Sequence, residues 1–443
     1  MKILIAGAGH GGLTAAAYLS EKGYDVHVYE KLSRDKLGYD WDDAMHGRTF
    51  EYAGIKDYDP KDVIPRKKSA FYSTSLKTPI LFEYPEGSTF YEIERKVLYK
   101  YLLENAENKG AKLHFNTKVD KALIEPAFGK VAGLIIDGVE TSGDLVIDSA
   151  GMFSPVRDSL PENYNIINKF KDNEIFHTYR AIFNLKADEK ITNGDKFNIY
   201  FKFNNINGIA WYKIVNGYSD VLIGSTNPLT MDEINEHLVE LRKVQPSIGD
   251  KLVRAGKIYP IPLRAAFSNI VGDNYAAIGD TVSMTVPING SGISNSILAG
   301  KLLSETITSI DLGRSDSEGY TKENLWDYQV KYMKTVGANM ISIDMIKRCL
   351  LSFQPKVIDF LFDASIITEN ELRAGTLGIE IPMSFKDMLE KLKKGYKKLP
   401  TLIKLSQYVA NSKKAKAHAL TIPSVYNKEA VESWVKKYES FLK

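Results

Sequence analysis

Cysteine is almost missing from this chain: Cys349 is the one cysteine among 443 residues. That excludes an internal disulfide and any zinc or iron–sulfur site built on cysteine ligands, and it points to a reducing, cytoplasmic setting. Surplus charge is nearly missing as well. Lys+Arg number 58 against Asp+Glu 55, a formal net charge of +3, too even to argue for nucleic acid as a partner. Long apolar runs are missing too. The opening Lys2-Ile3-Leu4-Ile5-Ala6 breaks at once into glycines, too soon for the core of a signal peptide. The long stretch poorest in charge, 281–300, is full of Ser, Asn, Thr and Gly and does not read as a membrane span. No internal repeat and no low-complexity segment interrupts the chain. What is present is ordinary globular material, 44% hydrophobic and 26% charged, enough for two or three cooperating domains.

Three patterns follow one another. Residues 1–158 and 256–312 alternate short apolar runs with helical periodicity, the signature of βαβ units on a parallel sheet. Residues 159–255 interrupt them, and 174–226 read as successive antiparallel strands. Phe197, Ile199, Phe201 and Phe203 fall at alternate positions and predict one apolar face. Asn216-Gly217 predicts a tight turn between two strands. From 313 to 443 the periodicity is helical and lysine becomes frequent. The expected architecture is α/β (α+β overall): a Rossmann-like domain carrying an inserted antiparallel substrate domain, followed by a helical region.

The first chemical motif opens the chain. The apolar run Lys2–Ala6 leads into Gly7-Ala8-Gly9-His10-Gly11-Gly12 and then a helical run from Leu13. That is G-x-G-x-x-G in the context it requires. Gly7 makes the tight turn, Gly9 lets a pyrophosphate approach the backbone, and Gly12 lets helix and strand pack closely. The helix N-terminus offers free N–H groups to the phosphates. The next apolar run, Asp25–Tyr29, ends at Glu30, an acid placed to accept the ribose hydroxyls of an adenosine.

A second cluster lies near residue 280. Asn274–Ile278 reads as a strand ending in Gly279-Asp280, followed by Pro287, Gly290-Ser291-Gly292 and a helix from Ile293. This resembles the flavin-side Gly-Asp motif of the para-hydroxybenzoate hydroxylase type of FAD-dependent enzymes. The resemblance implies that Asp280 holds the ribityl chain of FAD, while Pro287, Gly290, Gly292 and Ile293 lie at the isoalloxazine ring. Arg95, before the helical run Val97–Leu103, resembles an arginine that approaches the FAD phosphates in the same enzymes. Asp144–Gly151 with Ser154-Pro155-Val156-Arg157 resembles their middle motif.

The departures select a branch. Ala150-Gly151 stands where the hydroxylases carry Asp-Gly, and Thr281-Val282-Ser283 where Ala-Ala-His is usual. The spacing from Asp280 to Pro287 and Asn289-Gly290-Ser291-Gly292-Ile293 is closer to the geranylgeranyl reductase family, as is the preceding Tyr259-Pro260-Ile261-Pro262-Leu263. The Tyr-x-Trp-x-Phe-Pro strand of that family is echoed, without its Phe-Pro, by Ile209–Ile214. The resemblance implies reduction of carbon–carbon double bonds in an isoprenoid or other apolar substrate by hydride transfer from reduced FAD. It also implies an external electron donor: NAD(P)H, ferredoxin or quinol.

Alternatives are an FAD monooxygenase using NAD(P)H and oxygen, a flavin-dependent halogenase (whose Trp-x-Trp-x-Ile-Pro signature is absent), and a non-enzymatic flavoprotein. Candidate proton donors are Tyr212 and His46, with Tyr39 and Asp40 beside them; no metal is expected. Ser384 reads as the cap of a basic amphipathic helix carrying Met388, Leu389, Leu392, Tyr396 and Leu399 among lysines, a pattern expected either of a solvated helix face or of peripheral contact with an anionic membrane.

Overall fold

The strand Lys2–Ala6, whose side chains from Ile3 to Ala6 are fully buried, lies inside a six-stranded sheet. Its order is Val271–Gly272, Tyr275–Ala277, Leu145–Asp148, Lys2–Ala6, Asp25–Tyr29, Lys112–His114. Every pairing is parallel except the first. Parallel strands are buried on both faces, which explains their continuous apolar runs. The structure is a computed structural model and describes residues 1–84, 90–167, 169–186, 196–313, 319–379 and 385–443. Against the sheet pack the helices His10–Glu21 and Ile293–Leu312. They approach closely because glycines face each other: a Cβ on Gly300 would sit 2.3 Å from the Gly11 carbonyl oxygen.

A second, seven-stranded sheet is ordered Ile248–Pro262, Ile175–Leu185, Tyr218–Ser225, Gly208–Val215, Phe197–Phe201, Lys68–Tyr72, Ile80–Glu83. The turn at Asn216-Gly217 joins two of its strands with both residues at positive φ (50° and 77°), the type I′ geometry that matches strand twist. Two placements differ from the sequence reading. Lys68–Tyr72 and Ile80–Glu83, expected within the first 158-residue part, belong to this antiparallel sheet. Lys68–Tyr72 enters it by a parallel pairing with Phe197–Phe201, and a contact of such sequence separation leaves no local signature. The division expected at 255 falls inside the continuous strand Ile248–Pro262, at a bulge where Ala255 and Gly256 both have positive φ.

Of the C-terminal helices, Lys322–Tyr332 and Lys428–Ser440 pack in the core of the first sheet, while Ala338–Leu351, Pro355–Asp363, Glu369–Leu377 and the start of Leu399–Leu420 pack against strands of the second. Helix Ala338–Leu351 is tied back by Asp344, which accepts from the backbone of Ala265 at 3.0 Å. The C-terminal helix Lys428–Ser440 docks through Tyr438, whose hydroxyl donates to the Ala266 carbonyl at 2.9 Å, and through Glu439, which accepts from Arg264 and Ser268. Among the described residues no helix is long and apolar enough to cross a membrane. Ser384, the expected cap of the basic helix, lies outside the described residues; the helix itself spans Phe385–Lys394.

Candidate active site

One cavity of about 600 Å³ runs from the glycine turn of the first sheet, past the second sheet, to the C-terminal helices. At one end, Gly7 takes φ +81°, a conformation that glycine adopts without strain, and turns the chain from strand into helix. A Cβ on Gly9 would stand 2.4 Å from Ser149 Oγ, so no larger residue fits beneath the turn. Glu30 lies beside it and accepts from the backbone N–H groups of Ala8 (3.0 Å) and Leu32 (2.9 Å). Arg95 heads the helix Arg95–Asn108, 3.4 Å from Asp43. Asp280 and the loop Gly290–Gly292 form the opposite wall. Enclosure raises the pKa of Asp280, with Arg95 opposing the shift.

The middle motif acts as a brace for this end. Asp148 accepts from the Ser154 hydroxyl (2.5 Å), the Arg157 backbone (3.1 Å) and the Tyr275 hydroxyl (2.9 Å). Arg157 donates to the Thr281 carbonyl at 2.7 Å and Gly151 to the Thr281 hydroxyl at 3.0 Å, locking the two motifs together.

Of the residues singled out from sequence, Gly7, Gly9, Glu30, Arg95, Asp280, Gly290, Gly292 and Ile293 line this single cavity. Gly12 and Pro287 do not line it. Gly12 instead packs under Ser149 and Ile5, where a Cβ would meet Ser149 Cβ at 2.7 Å. His10 lines the wall, and burial, with Arg95 adding to it, lowers its pKa well below the ordinary range.

The expected proton donors need correction. Tyr212 is fully buried in the core on the other face of the second sheet, its hydroxyl 2.6 Å from Ser247. Strand alternation turns Ile209 and Trp211 toward the cavity and Tyr212 away from it. His46 does not line the cavity either; its ring stands edge-on to Phe90 and its backbone N–H donates to Ser294. Asp40 is exposed and paired with Lys96 at 2.6 Å. Tyr39 does line the cavity, stacked on Trp41 with centroids 4.5 Å apart.

The rest of the wall divides into an apolar aisle and a charged cluster. Phe197, Ile199 and Phe201 form one side of the aisle, and Leu350, Phe362 and Leu372 from the C-terminal helices form the other. Phe203, the fourth member of the predicted apolar face, belongs to the opposite core. The charged cluster was missed in sequence. Arg180 donates to Asp220 (2.6 and 3.1 Å), Asp43 (2.9 Å) and the Asp42 carbonyl (2.7 Å). Lys213 donates to Asp42 (2.6 Å) and Glu92 (2.9 Å), and Glu92 also accepts from Arg66 (2.7 Å). The available signal was charge at inward positions of otherwise apolar strands, as at Arg180, Lys213 and Asp220.

Burial lifts the Asp42 carboxyl from its ordinary 3.8 to about 7; Lys213 opposes this, while Glu92 and Asp220 add to it. Burial also pushes Glu92 upward, but Arg66 and Lys213 outweigh it and hold Glu92 well below the usual carboxylate range. Four polar atoms along the same wall, His10 Nε2, Arg95 Nε, Thr178 Oγ1 and Trp211 Nε1, are buried without a hydrogen-bond partner. Buried polar groups are otherwise nearly always paired, so their convergence on one cavity fits a bound group that satisfies them.

The family of NAD(P)-binding Rossmann-like domains matches residues 5–55. A digeranylgeranylglycerophospholipid reductase of Sulfolobus acidocaldarius is 22% identical over 99% of this chain and 97% of its own length. The crystal structure of a geranylgeranyl bacteriochlorophyll reductase-like protein from Thermoplasma acidophilum superposes with a TM-score of 0.72 at 19% identity, covering 92% of this chain and 98% of the other. The myxobacterial chondrochloren halogenase CndH, described as an FAD-dependent halogenase, superposes with a TM-score of 0.61 at 15% identity over 89% and 96% of the two chains. Over essentially its whole length the chain is therefore a relative of the digeranylgeranylglycerophospholipid reductases in sequence, on a fold shared with FAD-dependent oxidoreductases.

Proposed function

We propose that this protein is an FAD-dependent reductase that saturates carbon–carbon double bonds of an isoprenoid or similar apolar chain. The observation that carries this reading is the continuity of the cavity: a dinucleotide cradle at one end opens into an aromatic and aliphatic aisle at the other. Gly7, Gly9 and the helix N-terminus at His10 would receive the pyrophosphate, with Arg95 beside it. Glu30 would accept ribose hydroxyls and Asp280 those of the ribityl chain. Gly290, Gly292 and Ile293 would bring backbone N–H groups and the positive end of a helix dipole to the ring. When bound and reduced, flavin supplies the hydride. The aisle through Phe197, Phe201 and Phe362 would exclude water and align the alkene.

The test is anaerobic. The protein is loaded with FAD, reduced with dithionite and mixed with a geranylgeranyl phospholipid. Recovery of the oxidised flavin spectrum without oxygen, with product gaining two hydrogens per double bond, is the expected result. Reoxidation that waits for oxygen and yields a hydroxylated product would replace this reading with the monooxygenase one.

A lipid substrate also gives a role to the basic helix. Leu389 on this helix, and Tyr396, Leu399 and Ile403 in the turn and the helix Leu399–Leu420 that follow it, are 43, 68, 48 and 46% exposed, and Lys393 and Lys394 are exposed as well. Lys391 joins this segment to the end of the aisle through Glu371 at 3.0 Å. Such a surface suits an anionic bilayer. Co-sedimentation with anionic but not neutral liposomes, weakened by salt, is expected; no sedimentation with either would reject the membrane contact.

A further inference from the structure

The buried cations that line the cavity are matched by acids, with one exception. Arg66, Arg95, Arg180 and Lys347 each have a carboxylate partner, on Glu92, Asp43, Asp220 and Asp344. Lys36 is exposed to water. Lys202 is only 9% exposed, and its ammonium donates to two neutral acceptors, Asn207 Oδ1 and the Leu351 carbonyl, both at 2.8 Å. We propose that Lys202 anchors a phosphate group at the head of the prenyl substrate, at the end of the aisle away from the cofactor cradle. The inference rests on the reductase reading above and adds the substrate's polar end and its direction in the cavity.

Three observations support it. The first is the unmatched charge. An ammonium carries three N–H donors, and two of those on Lys202 are used. No acid opposes the effect of burial, which pushes its pKa down. A buried charge without a counter-ion is costly, and an anion entering the cavity would remove that cost while taking the third N–H.

The second is distance from the ring-side loop. Ile261 marks that end, because a Cβ on Gly290 would stand 2.5 Å from its side chain. From its strand, Ile248–Pro262, the sheet runs through Ile175–Leu185, Tyr218–Ser225 and Gly208–Val215 to Phe197–Phe201, which Lys202 follows in the chain. Four strand spacings make about 19 Å. Each strand crossed gives the cavity an apolar side chain: Phe176, Leu222, Ile209 and Phe201. Several isoprene units can lie on this path, with the head at Lys202 and a double bond toward the ring.

The third is access. Ser352, next to Leu351, is exposed and accepts from the Lys404 ammonium at 3.0 Å. Leu405 lines the cavity, and Ile403 belongs to the exposed surface assigned above to the bilayer. The aisle therefore meets the surface where two ammoniums are bonded to adjacent residues. A phosphate, with oxygens pointing several ways, suits such a pair better than a single carboxylate does.

The test is equilibrium binding to the oxidised, FAD-loaded full chain in neutral detergent, where neither reduction nor a bilayer contributes. Three probes share one chain: a geranylgeranyl glycerophospholipid, geranylgeranyl diphosphate and geranylgeraniol. The wild type should bind a phosphate probe about 10- to 100-fold more tightly than geranylgeraniol. Lys202→Met, which keeps the length of the side chain without its charge, should abolish that preference and leave geranylgeraniol binding unchanged. Lys202→Arg should restore most of the loss. A loss with the phospholipid assigns the site to a lipid head group, and a loss confined to geranylgeranyl diphosphate assigns it to a soluble prenyl diphosphate; both keep the anchor.

Equal wild-type affinity for all three probes would overturn the proposal, and that result needs no variant to fold. Phosphate binding untouched by Lys202→Met would overturn it too, as would an equal loss for geranylgeraniol, which would make Lys202 a packing residue. Failure of the reductase reading looks different: the phosphate probes bind through Lys202, but the reduced protein leaves their double bonds intact.

Discussion

The two ends of the cavity are made of different material. At the end proposed for the cofactor the wall is made largely of backbone: glycine turns at Gly7 and Gly290, and the N-termini of the helices starting at His10 and Ile293. At the other end it is carried by side chains drawn from strands far apart in sequence, with Asp42, Glu92, Arg180, Lys213 and Asp220 meeting in one cluster. A backbone site tolerates little change in local conformation but much in neighbouring sequence. A buried side-chain cluster is the reverse, because each charge there is stable only while its partners remain.

Removing one partner from the cluster is expected to have the largest effect on stability. Arg180→Ala leaves Asp220, fully buried, without its bidentate partner. A loss of about 3–5 kcal/mol is expected from chemical denaturation, and the additional change Asp220→Leu should recover part of it. An unchanged denaturation midpoint would mean that the cluster is wetter and looser than its geometry implies.

At the backbone end, Gly9→Val should act on the ligand rather than on the fold as a whole. Its Cβ would collide with Ser149 Oγ and push the turn out of place. Flavin affinity, read by quenching of flavin fluorescence, should fall roughly 10- to 100-fold, matching an overpacking cost of about 1–3 kcal/mol. Unaltered affinity would contradict the assignment of this turn to the pyrophosphate.

The pH dependence separates the two ends in a different way. The Asp42 carboxyl binds its proton more tightly in the folded protein, where its pKa is about 7, than in the unfolded chain, where it is near the ordinary 3.8. Its stabilising contribution is full below about pH 4 and is lost as pH rises through 7. Thermal unfolding of the wild type should therefore lose stability relative to Asp42→Asn across this window. Parallel pH profiles for the two proteins would remove Asp42 as the titrating group.

The smallest effect is expected at the exposed pair next to the same loop. Lys96→Ala breaks its bridge to Asp40, but both side chains are about half exposed. The change should be under about 1 kcal/mol. A larger cost would show that the loop is held from outside rather than by Trp41 and the buried cluster.

These contrasts explain what could be read in advance. Gly7, Gly9 and Gly12 between a strand and a helix, with Glu30 after the next strand, are a local pattern, because a strand–turn–helix is made by consecutive residues. Asp280 and Gly290–Gly292 are equally local. The seven-stranded sheet was legible from 174 onward, where alternation and the Asn216-Gly217 turn are written in consecutive residues. Its partners Lys68–Tyr72 and Ile80–Glu83 were not, because a strand of four or five residues does not announce which sheet it will join. Tyr212 was misplaced for a related reason: alternation tells which residues share a face, but not which face meets the cavity.

The sequence by itself determined the Rossmann-like architecture, the glycine turns and helix starts at Gly7–His10 and Gly290–Ile293, and the apolar alternation of the inserted strands, since each depends on neighbours along the chain. Only the tertiary structure decided that Phe197 and Phe201 face a cavity while Phe203 and Tyr212 face a core, and that acids and bases from five separate strands share one buried site. The burial and proximity that raise the Asp42 pKa arise between segments that touch only when the chain is folded.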